Sequence, residues 1–213
     1  MQKIAQIIID FIFPPKKEEL ELRSISPENL YTTTSKSGIA EFPFISFVFS
    51  YKYPLIRELV WQIKYKKNKH AIECAGYALW QELIKKYPKD AISSKSITLI
   101  PVPISKNRRK ERGYNQSELI IDEILKYDKK NRFTKNYDLL IRIKDIEKQT
   151  LKNRSERLEN TLHIFQVNKT ALENPVKIII IDDVTTTGST IREARDTLIA
   201  SGYRNIETMA LAH

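Results

Sequence analysis

The chain has 213 residues, 41 % of them hydrophobic and 29 % charged, with one cysteine and a formal net charge of +10. That length suits one domain, or one with a small appendage. A chain of this size buries about 70 % of its unfolded surface, so its core needs neither disulfide nor metal, and collagen-like, disulfide-framework and multi-span membrane classes are excluded. The excess of cations suits polyanions and phosphorylated small molecules, or plain solubility. Cys74 has no partner for an internal disulfide, which fits a reducing compartment.

Residues 1–13, MQKIAQIIIDFIF, read as a short amphipathic helix with Ile4, Ile8, Phe11 and Ile12 on one face. The apolar run is too short to span a bilayer. Gln6 and Asp10 interrupt it, and Pro14-Pro15 stand where a signal peptide would have its small-residue cleavage site. No stable membrane span is expected; a weak contact with a membrane surface stays open. Residues 14–41 hold Pro14, Pro15, Pro27, a Ser/Thr cluster and Gly38, with little periodicity, and read as irregular.

From Phe42 the pattern changes. Phe44 to Phe49 reads as a buried strand, and Leu55 to Tyr65 has helical spacing at Leu55, Ile56, Leu59, Val60 and Ile63. A second helix covers 71–87 and a loop 88–96. Ile97 to Pro103 is a strand, Asn115 to Tyr127 a helix with Asn115 placed to cap it, and Tyr137 to Ile143 a strand. Leu162 to Val167 is a short strand. Val176 to Ile181 is the unbroken β-branched run of a central parallel strand. Thr190 to Ala200 is a helix capped by Gly202, and Ile206 to Leu211 a last strand. Strands alternating with helices indicate an α/β protein with a mainly parallel sheet.

The segment that carries chemistry is 178–190, IIIIDDVTTTGST. A buried strand delivers Asp182 and Asp183, and a loop of Val184, Thr185, Thr186, Thr187, Gly188 and Ser189 leads to a helix near Thr190. Backbone N–H groups at a helix N-terminus surround a phosphate, and the helix dipole favours its charge. Two carboxylates touching that phosphate would repel it. One sugar-length away they accept hydrogen bonds from vicinal ribose hydroxyls, so the parts describe a ribose 5-phosphate site. There is no G-x-x-x-x-G-K-[ST] and no G-x-G-x-x-G. A metal-only site or a structural turn are the competing readings.

The segment resembles the phosphoribosyl-pyrophosphate (PRPP) signature of type I phosphoribosyltransferases. Three stretches ahead of it narrow the likeness: YPLIRELVWQIKYK at 53–66, LIPVPISKNRRKERGYNQ at 99–116 and LIRIKDIEKQTLKNRSERLEN at 140–160. In this order they resemble the ComF family, over residues 44–213. That resemblance implies a type I phosphoribosyltransferase fold at 44–213, preceded by a small region at 1–43. It implies that Asp182 and Asp183 hold ribose, that Val184 to Thr190 hold its phosphate, and that Mg²⁺ arrives with PRPP rather than in a protein cage. Val102-Pro103 would form a rigid turn for the pyrophosphate, beside five cations in seven residues: Lys106, Arg108, Arg109, Lys110 and Arg112. Asp183 and Arg109 are the expected catalytic residues. Gln149, Arg154 and Arg157 would lie on a hood that closes over the site and keeps water out, or are exposed charges of an ordinary loop.

The resemblance also implies a role in DNA uptake during natural transformation, in the cytoplasm, near the inner face of the membrane, beside a helicase and recombination proteins. Three functions stay open: an enzyme transferring a phosphoribosyl group, a non-catalytic competence factor binding single-stranded DNA or a helicase, and a nucleobase salvage enzyme. For DNA, Lys64, Lys66, Lys67, Arg108 and Arg112 are the candidate cations. Tyr51, Tyr53, Trp61 and Tyr65 interleave with the lysines and can stack on bases; the plain alternative buries Trp61 in the core. One departure stands out. ComF-like proteins commonly carry a cysteine-rich zinc module near the N-terminus, whereas here Pro14-Pro15 is followed by KKEELELRS, and His70, His163 and His213 lack ligand spacing. No structural zinc is expected.

Overall fold

The computed structural model describes residues 14–34, 44–88, 97–143, 164–168 and 177–213. The expected helix at 1–13 and the hood residues Gln149, Arg154 and Arg157 lie outside them.

Two short helices open the described chain: α1 (Lys17–Ser24) and α2 (Pro27–Thr33). The sequence reading took this stretch as irregular, with Pro27 as a breaker. Proline is favoured in the first turn of a helix, where its missing N–H costs nothing. The Ser26 side chain caps α2 by accepting the Asn29 N–H at 3.2 Å. In α1, Glu18 and Glu19 begin and Arg23 ends the helix, complementing its dipole. Leu22, Leu30 and Tyr31 are buried in the same core as the rest of the molecule.

The main sheet contains β1 (Ile45–Phe49), β2 (Ile97–Pro101), β3 (Phe133–Lys135), β6 (Lys177–Val184) and β7 (Ile206–Ala212). Its order is β1-β7-β6-β2-β3 and every pairing in it is parallel. Two other strands, β4 (Leu140–Arg142) and β5 (Phe165–Val167), form a small antiparallel pair. The expected strand at 137–143 is thus shorter, and β3, whose three residues are too few to show a period, was missed.

Helices cover both faces. Side chains alternate along a strand, so β6 sends Ile179 and Ile181 to one side and Ile178 and Ile180 to the other. The first side packs under α3 (Pro54–Trp61), the turn that follows it, α4 (Lys69–Lys86) and α6 (Gln116–Tyr127) through Leu59, Ile63, Leu79, Leu83, Ile120 and Ile124. The second packs against α7 (Ser189–Ala200) through Ile191, Ala194 and Leu198, and against Leu140 and Phe165 of the small pair. Each such aliphatic side chain, fully buried, contributes about 1.5–3 kcal/mol. This is the mainly parallel α/β sheet flanked by helices that the sequence predicts.

The topology locates a crevice. From β2 the chain crosses over to β3 at one edge, whereas from β6 it crosses through α7 to β7 on the other side. In an open α/β sheet a ligand crevice lies where neighbouring strands send their connections in opposite directions. Here β2 and β6 stay paired through Pro101 and Ile181, and the Val102 N–H still reaches the Ile181 carbonyl at 3.0 Å. Beyond that, β6 continues with β7 alone.

Candidate functional site

A cavity of about 560 Å³ opens at that crevice. Val102, Pro103 and Ile104 line it from the end of β2, and Asp182 through Thr190 from the end of β6. Lys64, Tyr65, Arg108, Arg112, Gln116, Ser117 and Arg142 complete the wall. The sequence-predicted acids, the threonine-rich loop and the Val-Pro turn therefore come together.

The acids lie within β6, which runs to Val184, past the Ile181 at which the sequence reading ended it. Asp182 Oδ1 accepts the Asp183 N–H at 2.9 Å and Asp183 Oδ1 the Val184 N–H at 2.7 Å. Burial, and after it the charge of Asp183, push the Asp182 carboxyl up to about 8. Asp183 shares the strand face of Ile179 and Ile181. Its Oδ2 faces Lys64 Nζ at 3.2 Å and accepts no hydrogen bond among the described residues.

The loop after β6 is preshaped. The Thr185 N–H is bound by the Ala212 carbonyl at 3.0 Å, and its own carbonyl meets His213 Nδ1 at 3.1 Å. Thr187 Oγ1 and Ser189 Oγ lie 3.0 Å apart. Gly188 has φ +69°, a left-handed conformation that costs any residue with a Cβ roughly 1–2 kcal/mol. It turns the chain directly into α7, so the helix N-terminus faces the cavity. No backbone carbonyl among the described residues binds the amides of Thr186, Thr187 or Gly188.

The five cations of the basic segment lie on a helix, α5 (Lys106–Arg112), capped by the Ser105 side chain on the Arg108 N–H at 3.2 Å. Residues four apart share a helix face, so Arg108 and Arg112 line the cavity together. Arg109 is turned away: its guanidinium binds both oxygens of Glu118, at 3.0 and 3.1 Å. Arg109, the expected catalytic cation, thus does not line the cavity, whereas Arg108 and Arg112 do. Arg112 also lies over the Tyr65 ring at 5.4 Å.

The RGYNQ segment has a structural reading, residue by residue. Arg112 reaches the cavity, and Gly113 ends α5 at φ +79° with no strain. The Tyr114 hydroxyl donates to the Ile63 carbonyl at 2.7 Å. Asn115 caps α6 on the Ser117 N–H at 3.1 Å, as expected, and donates its amide to the Val102 carbonyl at 3.0 Å. Gln116 is buried, and its amide nitrogen has no partner among the described residues.

Lys64 was assigned with the DNA-facing cations and belongs instead to the cavity. Beyond Trp61 the helix loosens into a π turn, Gln62–Lys66, closed by Lys67 at φ +48°. Such turns widen the helix by one residue per turn and recur at functional sites. The signal was available: Lys64 follows Leu59, Val60 and Ile63 onto a buried face, where a lysine needs a partner. Tyr65, read from the sequence as a base-stacking aromatic, also lines the cavity, and the sequence offers no sign of Arg142 or His213, because their places depend on how distant segments meet. Lys66 and Lys67 stay outside the cavity, over the rings of Trp61 at 5.5 Å and Tyr114 at 5.3 Å. Trp61 is 42 % exposed and Tyr65 53 % exposed, so Trp61 is not core.

ComFC of Bacillus subtilis is 30 % identical to this chain over 148 residues, 70 % of this chain and 55 % of that protein. ComFC of Streptococcus pneumoniae is 32 % identical over 130 residues, 61 % of this chain and 51 % of that protein. Competence protein F of Haemophilus influenzae is 30 % identical over 116 residues, 54 % and 49 %. The chain belongs to the ComF family. It spans about half the length of these ComF relatives. No family model matches it. Among solved structures, a hypoxanthine phosphoribosyltransferase from Staphylococcus aureus is similar over 66 % of this chain and 61 % of that one, at 15 % identity and a TM-score of 0.41. A hypoxanthine-guanine enzyme from L. donovani is similar over 66 % and 70 %, at 11 % identity and a TM-score of 0.38. Likeness that slight says nothing of ligand or reaction. The α/β fold of this ComF chain rests on its own strand order and pairing. Among the described residues no helix is long and apolar enough to cross a membrane.

Proposed function

We propose that this ComF chain binds PRPP with Mg²⁺ in the cavity between β2 and β6 and transfers its phosphoribosyl group in the service of DNA uptake. One observation carries the reading: an adjacent acid pair, a left-handed Gly188 opening onto the N-terminus of α7, and a cation-flanked Val-Pro turn all line one cavity. The α7 N-terminus, with the amides of Thr186 to Gly188 and the hydroxyls of Thr187 and Ser189, takes the 5-phosphate. Asp182 and Asp183 take the ribose hydroxyls. Arg108, Arg112 and the Val102-Pro103 turn take the pyrophosphate.

The donor set suits Mg²⁺. Two adjacent carboxyl groups, one with an oxygen that accepts no hydrogen bond among the described residues, supply, when deprotonated, the hard oxygen ligands that this ion takes alongside those of its substrate. Bound there, Mg²⁺ would neutralise charge on the departing pyrophosphate. The protein's own part is to hold the leaving oxygens with Arg108, Arg112 and backbone N–H groups as the bond to ribose breaks.

Calorimetric titration of PRPP with Mg²⁺ tests this. Saturable binding is expected for the wild type, weakened at least about a hundredfold in Asp182→Asn/Asp183→Asn, as for loss of more than one charge-assisted contact. A wild type that takes up no PRPP overturns the reading. A screen of nucleobases as acceptors then separates salvage from another acceptor.

A second reading, binding of single-stranded DNA, is favoured by one observation. Trp61 and Tyr65 are exposed, their rings 5.8 Å apart, with Lys66 and Arg112 beside them. Exposed aromatics with cations suit stacked bases and their phosphates.

A further inference from the structure

We propose that Lys64 is the protein's own cation in this site, and that it lets the cavity hold a phosphoribosyl ligand without a divalent ion. The inference rests on the reading that the cavity takes PRPP. The problem it answers is electrostatic. Asp182 and Asp183 put two carboxyl groups beside the place where a phosphorylated ligand must sit, and negative charge on either opposes both the ionisation of its neighbour and the ligand. A divalent ion would relieve that opposition. Here the chain brings a cation of its own.

Three observations fix Lys64 in that role. Its Nζ lies 3.2 Å from Asp183 Oδ2, and its side chain is 21 % exposed, so it stands inside the cavity and not on the outer surface. An ammonium group has three donors, and the contact with one carboxylate oxygen leaves others for a ligand oxygen. The backbone that presents it is specially built. The π turn Gln62–Lys66 is closed by Lys67 in a left-handed conformation that residues with a Cβ rarely adopt. Tyr114 holds that turn from outside through the Ile63 carbonyl, and Asn68 holds it through Gln62, its N–H reaching the backbone carbonyl at 3.2 Å and its amide the side-chain oxygen at 3.3 Å. A surface lysine needs no such support. A lysine aimed at one carboxylate does.

The positive charge of Lys64 and that of a divalent ion therefore serve the same oxygens, and each partly replaces the other. The test titrates PRPP into wild type, Lys64→Met and Lys64→Arg, in EDTA and in saturating Mg²⁺, with thermal unfolding of each protein alongside. Wild type is expected to bind in both buffers. Lys64→Met should lose about tenfold in EDTA, the scale of one charge-assisted contact, and return to within about threefold of wild type in Mg²⁺. Lys64→Arg should keep binding in EDTA, because it keeps the charge.

Rescue by Mg²⁺ is the decisive readout, since a merely structural lysine would not be replaced by a dissolved ion. Wild-type binding in Mg²⁺ but not in EDTA overturns this inference and leaves the proposed function standing; that arm needs no variant to fold. Equal loss in both buffers for Lys64→Met makes the residue structural and also overturns it. Wild type that binds in neither buffer removes the proposed function, and this inference with it.

Discussion

Asn115 shows how much one side chain can organise. It is 2 % exposed, starts α6 by accepting the Ser117 N–H, and ties that helix to the Val102 carbonyl thirteen residues earlier. The tie holds the Val102-Pro103 turn, and hence the pyrophosphate wall, against the helix. Asn115→Ala removes both contacts and should cost about 2 kcal/mol, an N-cap plus a buried carbonyl left unpaired. Asn115→Ser keeps a capping oxygen but is too short to reach Val102. Urea denaturation should then show Ser recovering about 1 kcal/mol of the loss, while calorimetry shows PRPP affinity as weak as in Ala. Recovery of both by Ser would mean that the Val102 contact is not what shapes the site. The cap was legible in the sequence, because capping is a local rule. The contact with Val102 was not, since no periodicity encodes which distant carbonyl a side chain meets. The spacing of Lys64 after Leu59, Val60 and Ile63 showed its buried side, but not its pairing with Asp183, for the same reason.

At the scale of elements, the two ends of the sheet are held by different chemistry. The end that forms the cavity parts its strands and leaves polar groups for a ligand. The opposite end is clamped by Glu207 of β7, which binds Lys177 of β6 at 2.6 Å and also Lys86 at the end of α4. Burial opposes the charge of Glu207, but the donors Lys177, Lys86 and Tyr87 outweigh it and bring its carboxyl down to about 2 from an ordinary 4.5. The sign follows from proton linkage: a carboxylate lowered on folding stabilises fully above its unfolded value, and that contribution fades as protons are added. Wild-type stability should therefore fall between pH 4.5 and about 2 partly through this group. Glu207→Gln should lose about 1–2 kcal/mol at neutral pH, at the low end because the side chain is partly exposed. Its stability should change less over the acid window than that of wild type. PRPP affinity should be unaltered, because the clamp lies at the far end of β6 from Asp182. An unchanged acid profile in the variant would mean that other carboxylates set acid stability.

For the whole molecule, the alternation of strands and helices made the α/β class readable, and the unbroken run Ile178 to Ile181 marked the central strand. The N-terminal helices escaped notice because seven or eight residues are too few to show a period; tertiary burial of Leu22 and Leu30 supports them instead. The +10 charge was read as a general attraction for polyanions, and the structure divides it. Arg108, Arg112 and Lys64 turn into the cavity, whereas Lys66 and Lys67 lie outside it beside Trp61 and Tyr114. That division makes the DNA-binding reading separable from the PRPP reading. If a single strand follows the outer face, neutralising Lys66 and Lys67 together should reduce the slope of log affinity against log salt by about 1.4, at roughly 0.7 per phosphate contact on a single strand. Trp61→Ala should weaken binding by about 1–3 kcal/mol through lost stacking and leave the slope alone, since the ring carries no charge. Fluorescence anisotropy of a labelled oligonucleotide over a range of salt concentrations measures both. PRPP affinity should stay the same in both variants, because none of these side chains lines the cavity. An unchanged slope in the double lysine variant would take DNA off this face, whereas PRPP affinity falling in step with it would mean that cavity and outer face act as one site.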